Sequence, residues 1–411
     1  MSTARPRSTP ARRARTAPAR PRIDLALQGG GSHGAYTWGV LDALLEDGRL
    51  EFDGVSGTSA GAMNAAVLAT GYARGGRDGA RVALRDFWAA VSGVPACFGP
   101  PPPPPPGPGA VQAAAVAAAV AGAATRPAEP FGSPWASLFA APSAVAWPSW
   151  MFNPNQWPMY AFWDGLSRAF SPYQLNPFNF NPLRDILARH VDLALLAEGP
   201  LRVFVTATAV TTGRPRIFHG HELTVEALLA SACIPQMFQA VTIDGEAYWD
   251  GGFSGNPALW PLIYETSAVD LVLVQINPLT RAGVPTTAIE IADRLNEITF
   301  NASLMAEMRA IAFVKRLLRE QRIDADRYKD LRLHRIDDED GLAPFDASSK
   351  LNADPRLLQT LFDLGRRSAH NWLEHHHADI GVRSSVDIEE TFLSRSPQPV
   401  APGTGKGRMQ G

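Results

Sequence analysis

Two units, each a strand, a glycine turn and a helix, follow one another within about fifty residues, and they constrain the fold more than any other feature of the chain. The first begins with RIDLALQ (22–28), an apolar run short enough for a buried strand. Gly29, Gly30 and Gly31 follow at once, and then Tyr36, Val40, Leu41 and Leu44 recur at helical spacing up to Gly48. The second unit is FDGVS (52–56), the turn GTSAG (57–61) and the Ala-rich, helix-forming AMNAAVLATGYA (62–73). Alternating strands and helices of this kind predict an α/β fold with a parallel sheet covered by helices.

Composition narrows the class. Of 411 residues, 45% are hydrophobic and 19% charged, with a formal net charge of −2, which argues for a folded protein and against a nucleic-acid binder. The charge is uneven, because residues 1–22 hold seven Arg and no acid and read as a disordered basic arm. No apolar segment follows the arm as a secretory signal requires. Two cysteines, Cys97 and Cys233, give neither a disulfide framework nor a metal-ligand spacing, and a reducing cytoplasmic setting fits them. The longest apolar run, 110–124, is Ala-dominated and shorter than a membrane span, so no transmembrane segment is expected.

Further along, seven consecutive prolines from Pro100 predict a stiff, solvated segment, and half of the ten tryptophans fall within residues 135–163. Together they suggest a Pro-, Ala- and Trp-rich insertion over about 95–165. Strand signals resume at LRVFVTATAV (201–210), at a hairpin over 241–252 turning on Asp244-Gly245, and at DLVLVQINPL (270–279). The C-terminal third reads as helical, with one apolar stripe through Leu304, Met308, Ile311, Val314 and Leu318 and another through Leu357, Leu361 and Leu364. From residue 382 the chain reads as a disordered tail. The expected organisation is thus an arm (1–22), a main domain (23–265) containing the insertion, a strand plus helical extension (266–381) and a tail (382–411).

The chemistry concentrates in three places. Gly29, Gly31 and Gly34 have the GxGxxG spacing of a loop whose backbone N–H groups face negative charge, a nucleotide pyrophosphate among the candidates. Asp53, nineteen residues past Gly34, stands near where a ribose-binding acid would belong, which keeps a nucleotide-binding oxidoreductase open as one reading. GTSAG has the GxSxG pattern of a nucleophile elbow, with Ser59 between Gly57, Thr58, Ala60 and Gly61 on a sharp turn from strand to helix. A serine needs a base. Candidates are the C-terminal histidines His334, His370, His375, His376 and His377, mostly on a helical pattern that suggests a solvated face, and Asp250 in YWDGG, followed by Gly251 and Gly252.

In combination, GGGSHG (29–34), GTSAG (57–61) and DGG (250–252), in that order, resemble the patatin-like phospholipase family, with SACIPQMF (231–238) and Asn256 as further similar features. The resemblance spans about residues 23–265. It implies a three-layer α/β sandwich and a serine lipid acyl hydrolase of phospholipase A or lysophospholipase type, with a Ser59–Asp250 dyad and an acyl-enzyme; no cofactor is expected, and the lack of a DxDxDG-type calcium loop predicts that no metal is needed. It implies an oxyanion hole in the loop of Gly29, Gly30, Gly31, Ser32, His33 and Gly34. The chain departs from the family at His33, where many members carry Arg or Lys. The substrate stays open between phospholipids, lysophospholipids, neutral glycerides and hydroxyalkanoate polyesters. A scaffold without activity is disfavoured by the presence of both Ser59 and Asp250. The aromatic insertion reads equally as a cap or as a lipid-interface element, and peripheral contact with a membrane or lipid surface is an accompanying expectation.

Overall fold

A computed structural model describes residues 20–93, 171–281, 283–345 and 347–394. Most of the basic arm, the Pro- and Trp-rich insertion, Cys97 and the tail from 395 lie outside the described residues. Among those described, eight strands form one sheet: β1 (Arg22–Leu27), β2 (Glu51–Thr58), β3 (Arg202–Ala209), β4 (Pro215–His219), β5 (Val241–Ile243), β6 (Glu246–Asp250), β7 (Asp270–Val274) and β8 (Arg332–Ile336). Their order is β5-β6-β3-β2-β1-β7-β8, with β4 also paired to β3. The run β3-β2-β1-β7-β8 is parallel, and β4, β5 and β6 are antiparallel.

The central strands are apolar on both faces because both faces are covered. Ile23, Leu25 and Leu27 of β1, with Val272 and Val274 of β7, join a core beneath α1 (Gly34–Asp47), α2 (Ala60–Ser92) and the C-terminal helix Pro355–His376. The alternate residues Ala26, Leu271 and Leu273 join a second core beneath Trp260–Glu265 and Ala288–Arg319. Period-two alternation of this kind places one helical layer on each side of the sheet, the expected three-layer sandwich. We label the later helices α3 (Leu183–His190), α4 (Leu193–Glu198), α5 (Val225–Ser231), α6 (Trp260–Glu265), α7 (Ala288–Arg319) and α8 (Pro355–His376).

Helix α1 ends where Gly48 adopts the left-handed cap conformation, with its N–H bonded to the Leu44 carbonyl. The second helix runs to Ser92, well past residue 73, and is kinked at Gly75 and Gly76, whose backbone is not helical. Two expectations are corrected. The C-terminal third contributes a strand, β8, whose short apolar pattern is hidden by the charged Arg332 and Arg335. Residues 382–394, expected in a disordered tail, are packed: Ile388 and Phe392, one helical turn apart, are buried against the second core.

Candidate active site

The two sequence motifs converge at the carboxyl ends of β1 and β2, where an open parallel sheet presents its crevice. Ser59 joins β2 to α2 with φ 53° and ψ −124°, a conformation that L-residues rarely hold. The flanking glycines are fixed by steric closeness. A Cβ on Gly61 would come within 2.2 Å of the Leu27 carbonyl oxygen, and one on Gly57 within 2.5 Å of the Gly61 backbone. The turn can therefore form only where β1, β2 and α2 meet without side chains between them.

The glycine loop lies directly against this serine: a Cβ on Gly29 would be 2.8 Å from the Ser59 Cβ. Several loop N–H groups are already committed. Gly29 N–H donates to Asn256 Oδ1 at 2.6 Å, His33 N–H to the Gly30 carbonyl at 3.1 Å, and Gly34 N–H to the carbonyls of Gly31 and Ser32. The six-residue loop expected to hold an oxyanion thus narrows, among the described residues, to the N–H groups of Gly30, Gly31 and Ser32.

Asp250 ends β6, and register places it opposite Ala207 of β3. Its N–H donates to the Cys233 carbonyl, and its Oδ1 accepts from Gly252 N–H at 2.7 Å. The other oxygen, Oδ2, is buried and has no aligned hydrogen bond among the described residues. Burial pushes the carboxyl up to about 7, opposed by the Gly252 amide, the nearby Ser59 hydroxyl and the charge of Lys350.

Residues outside the three motifs hold them together. Ser231 Oγ, at the end of α5, accepts from Ser59 N–H at 2.9 Å, which explains the SACIPQMF stretch beside the site. Thr58 Oγ1 donates to the Gly255 carbonyl, and Thr208 Oγ1 to the carbonyl of Asp250. Gln28 Oε1 accepts from the N–H groups of Ile276 and Asn277, while Asn277 Nδ2 donates to the Gly29 carbonyl at 2.8 Å. Sequence reading did not single out Gln28, Asn277 or Lys350. A glutamine closing an apolar strand just before a glycine loop was the one available signal.

His33 is buried, its Nε2 hydrogen bonds with Ser349 Oγ at 2.7 Å, and its ring meets Phe345 edge-on. Burial, with the charges of Lys350 and Arg281, pushes it down to about 3, so the imidazole is neutral. The C-terminal histidines are held elsewhere. His334 lies fully buried in β8 and pairs with Asp270, His370 stands beside Glu46, His375 bonds the Asn371 carbonyl, and His376 pairs with Asp379. None of these contacts reaches Ser59 or Asp250.

The ribose-acid role for Asp53 is overturned. Ile23 at the start of β1 pairs with Phe52, so Asp53 sits at the opposite end of the sheet from the loop that follows Leu27. There its carboxylate accepts from Ser267 and from Ala268 N–H. A cavity of about 370 Å³ beside the loop is lined by Ile276, Asn277 and Arg281, but by neither Ser59 nor Asp250.

A serine on a strained turn from strand to helix thus lies against a glycine loop, with a buried carboxyl near its hydroxyl, an arrangement of the kind a hydrolase can use. The sequence profile of the patatin-like phospholipase family matches residues 25–263, more than half of the chain, and the protein belongs to that family of lipid acyl hydrolases. Comparison with the curated proteins gives no match. Among solved structures, VipD from Legionella pneumophila is similar at 16% identity, with 91% of this chain and 73% of that one covered and a TM-score of 0.34.

Proposed function

We propose that the protein hydrolyses lipid esters, with phospholipids and lysophospholipids as the first substrate class, through a Ser59–Asp250 dyad. Ser59 Oγ attacks the ester carbonyl while Asp250 Oδ2 accepts its proton. The tetrahedral oxyanion takes hydrogen bonds from the uncommitted N–H groups at Gly30 and Gly31, at the start of the turn that leads into α1. Collapse expels the alcohol, which takes the proton back from Asp250, and leaves the acyl group on Ser59. Asp250 then removes a proton from water, whose oxygen attacks the acyl-enzyme, and the fatty acid leaves as Ser59 is reprotonated.

The observation that carries this reading is the unoccupied, buried Oδ2 of Asp250 beside the Ser59 hydroxyl. Leaving a buried acceptor unpaired costs about 1–3 kcal/mol, a cost that structural positions avoid and a base requires. An apolar substrate is supported by α7, where Ile291, Leu295 and Ile298 expose one face at 43%, 60% and 51%. The same helix carries Phe300, whose ring fills the space beside Gly252. Among the described residues no helix is long and apolar enough to cross a membrane. Neutral glycerides and hydroxyalkanoate polyesters present the same ester carbonyl to the dyad.

Reaction with a fluorophosphonate followed by peptide mapping tests the assignment. The adduct is expected on Ser59 and is expected to vanish in Ser59→Ala. An adduct on another serine, or none with the folded protein, contradicts it.

A further inference from the structure

Lys350 lies in the single turn Ala347–Leu351, beyond the stretch matched by the family profile, yet it meets the site from two sides. Its carbonyl oxygen packs so closely on the glycine loop that a Cβ on Gly31 would come within 2.1 Å of it. Gly31 also holds φ +56°, so the position is closed to other residues on both counts. At the other end, Lys350 Nζ donates to Asn277 Oδ1 at 2.9 Å, and Asn277 in turn holds the Gly29 carbonyl. The ammonium stands 5.8 Å from the centroid of Phe300, the ring that packs beside Gly252, whose N–H holds Asp250. The neighbouring Ser349 bonds His33, which fixes the turn to the loop.

An ammonium on a half-buried side chain whose hydrogen bond goes to a neutral amide is costly unless its charge is used. Among the described residues Lys350 forms no ion pair; desolvation pushes its ammonium below the usual lysine range, opposed by the more distant charges of Glu297, Asp293 and Asp250 and reinforced by Arg281. Its charge is felt at both Asp250 and His33. His33, being neutral, brings no positive charge to the loop.

We infer that Lys350 supplies positive charge to this site, tied to the glycine loop through Asn277 and set over the Phe300 ring. It favours the carboxylate over the carboxylic acid at Asp250 and the oxyanion over the neutral carbonyl at the loop. It exchanges no proton with substrate and acts through the field it places on those two groups. The inference rests on the Ser59–Asp250 reading and locates part of that machinery in the C-terminal segment.

The test uses the full chain and a water-soluble nitrophenyl butyrate ester, with turnover followed across the neutral pH range. Competent sites are counted by fluorophosphonate titration. Lys350→Met and Lys350→Gln are expected to lower kcat about tenfold or more, with KM within about twofold. They also move the acid limb of the profile up by about one pH unit, because Asp250 loses the charge that favours its ionised form. Lys350→Arg restores most of the rate and returns the limb toward its wild-type position. An unmoved limb in folded Lys350→Gln, or wild-type turnover in Lys350→Met, overturns the inference. If Lys350→Met does not fold, the Gln and Arg variants decide the matter between them. Absence of a Ser59 adduct in the wild type would mark failure of the dyad reading, and the inference would fall with it.

Discussion

Ser59 holds a backbone conformation that costs an L-residue about 1–3 kcal/mol, so the surrounding contacts must over-determine it. Ser59→Gly is therefore expected to resist urea better than Ser59→Ala, by about 1 kcal/mol, and equal midpoints would mean that the turn is unstrained. At His33 the imidazole is neutral across the working range, because burial has pushed it down to about 3. His33→Gln should thus leave the acid limb of turnover in place, whereas movement of that limb would show a charged imidazole. The motif residues were legible in the sequence because glycines that permit close backbone approach must be glycines, and Gly57 and Gly61 mark an elbow once their place between a short apolar strand and a helix is added to their spacing. Gln28, Asn277 and Lys350 were not legible, since each reaches the loop through a contact between residues distant in sequence. The sequence also left open which loop N–H groups are occupied. Asn256 takes the one at Gly29, an arrangement that spacing does not encode.

At the scale of elements, α1 and α8 approach through glycine. A Cβ on Gly365 would lie 2.0 Å from the Tyr36 carbonyl oxygen, and one on Gly39 2.0 Å from that of Phe362. Gly365→Ala should destabilise the protein by about 3 kcal/mol, measured by urea denaturation, because neither helix can retreat without opening the core. Glu307 of α7 gives a prediction with a sign. Its Oε2 accepts from Leu259 and Trp260 N–H at the start of α6, and burial pushes it up to about 7. A carboxyl raised in the fold costs nothing below its unfolded value near 4, and its penalty grows as pH rises from there through about 7. Glu307→Gln, which keeps the acceptor, should raise the melting temperature by about 2–4 °C at pH 8 and lose that gain by about pH 5. A gain that persists at low pH would trace to packing instead. The strands and helices up to residue 73 were readable because period and punctuation agree there. Strand β8 was missed because Arg332, His334 and Arg335 leave only Leu333 and Ile336 as apolar residues in a strand of five. Ile388 and Phe392 were missed because two apolar residues one turn apart are too weak a pattern within a polar stretch.

Across the whole molecule, the sheet gathers residues from positions 28 to 350 at one end, and the α/β sandwich itself could be inferred from two repeated units. The edge strands and the partners of the site come from later in the chain, where local pattern is weaker and pairing is long-range. In the proposed reading, the exposed apolar face of α7 meets the lipid. Leu295→Glu with Ile298→Glu should lower hydrolysis of phospholipid vesicles about tenfold or more while sparing a soluble nitrophenyl ester, since about 2–3 kcal/mol of apolar burial at the lipid is replaced by charge. Equal losses on both substrates would place that face in the chemistry rather than at an interface. Whether buried Asp250 activates Ser59 is read from the pH dependence of fluorophosphonate inactivation in the wild type and in Asp250→Asn. The wild-type rate is expected to rise with pH around a midpoint of about 7 and to fall by about 100-fold or more in Asp250→Asn across the range. Inactivation of folded Asp250→Asn at the wild-type rate, with the same midpoint, would show that Asp250 does not activate Ser59.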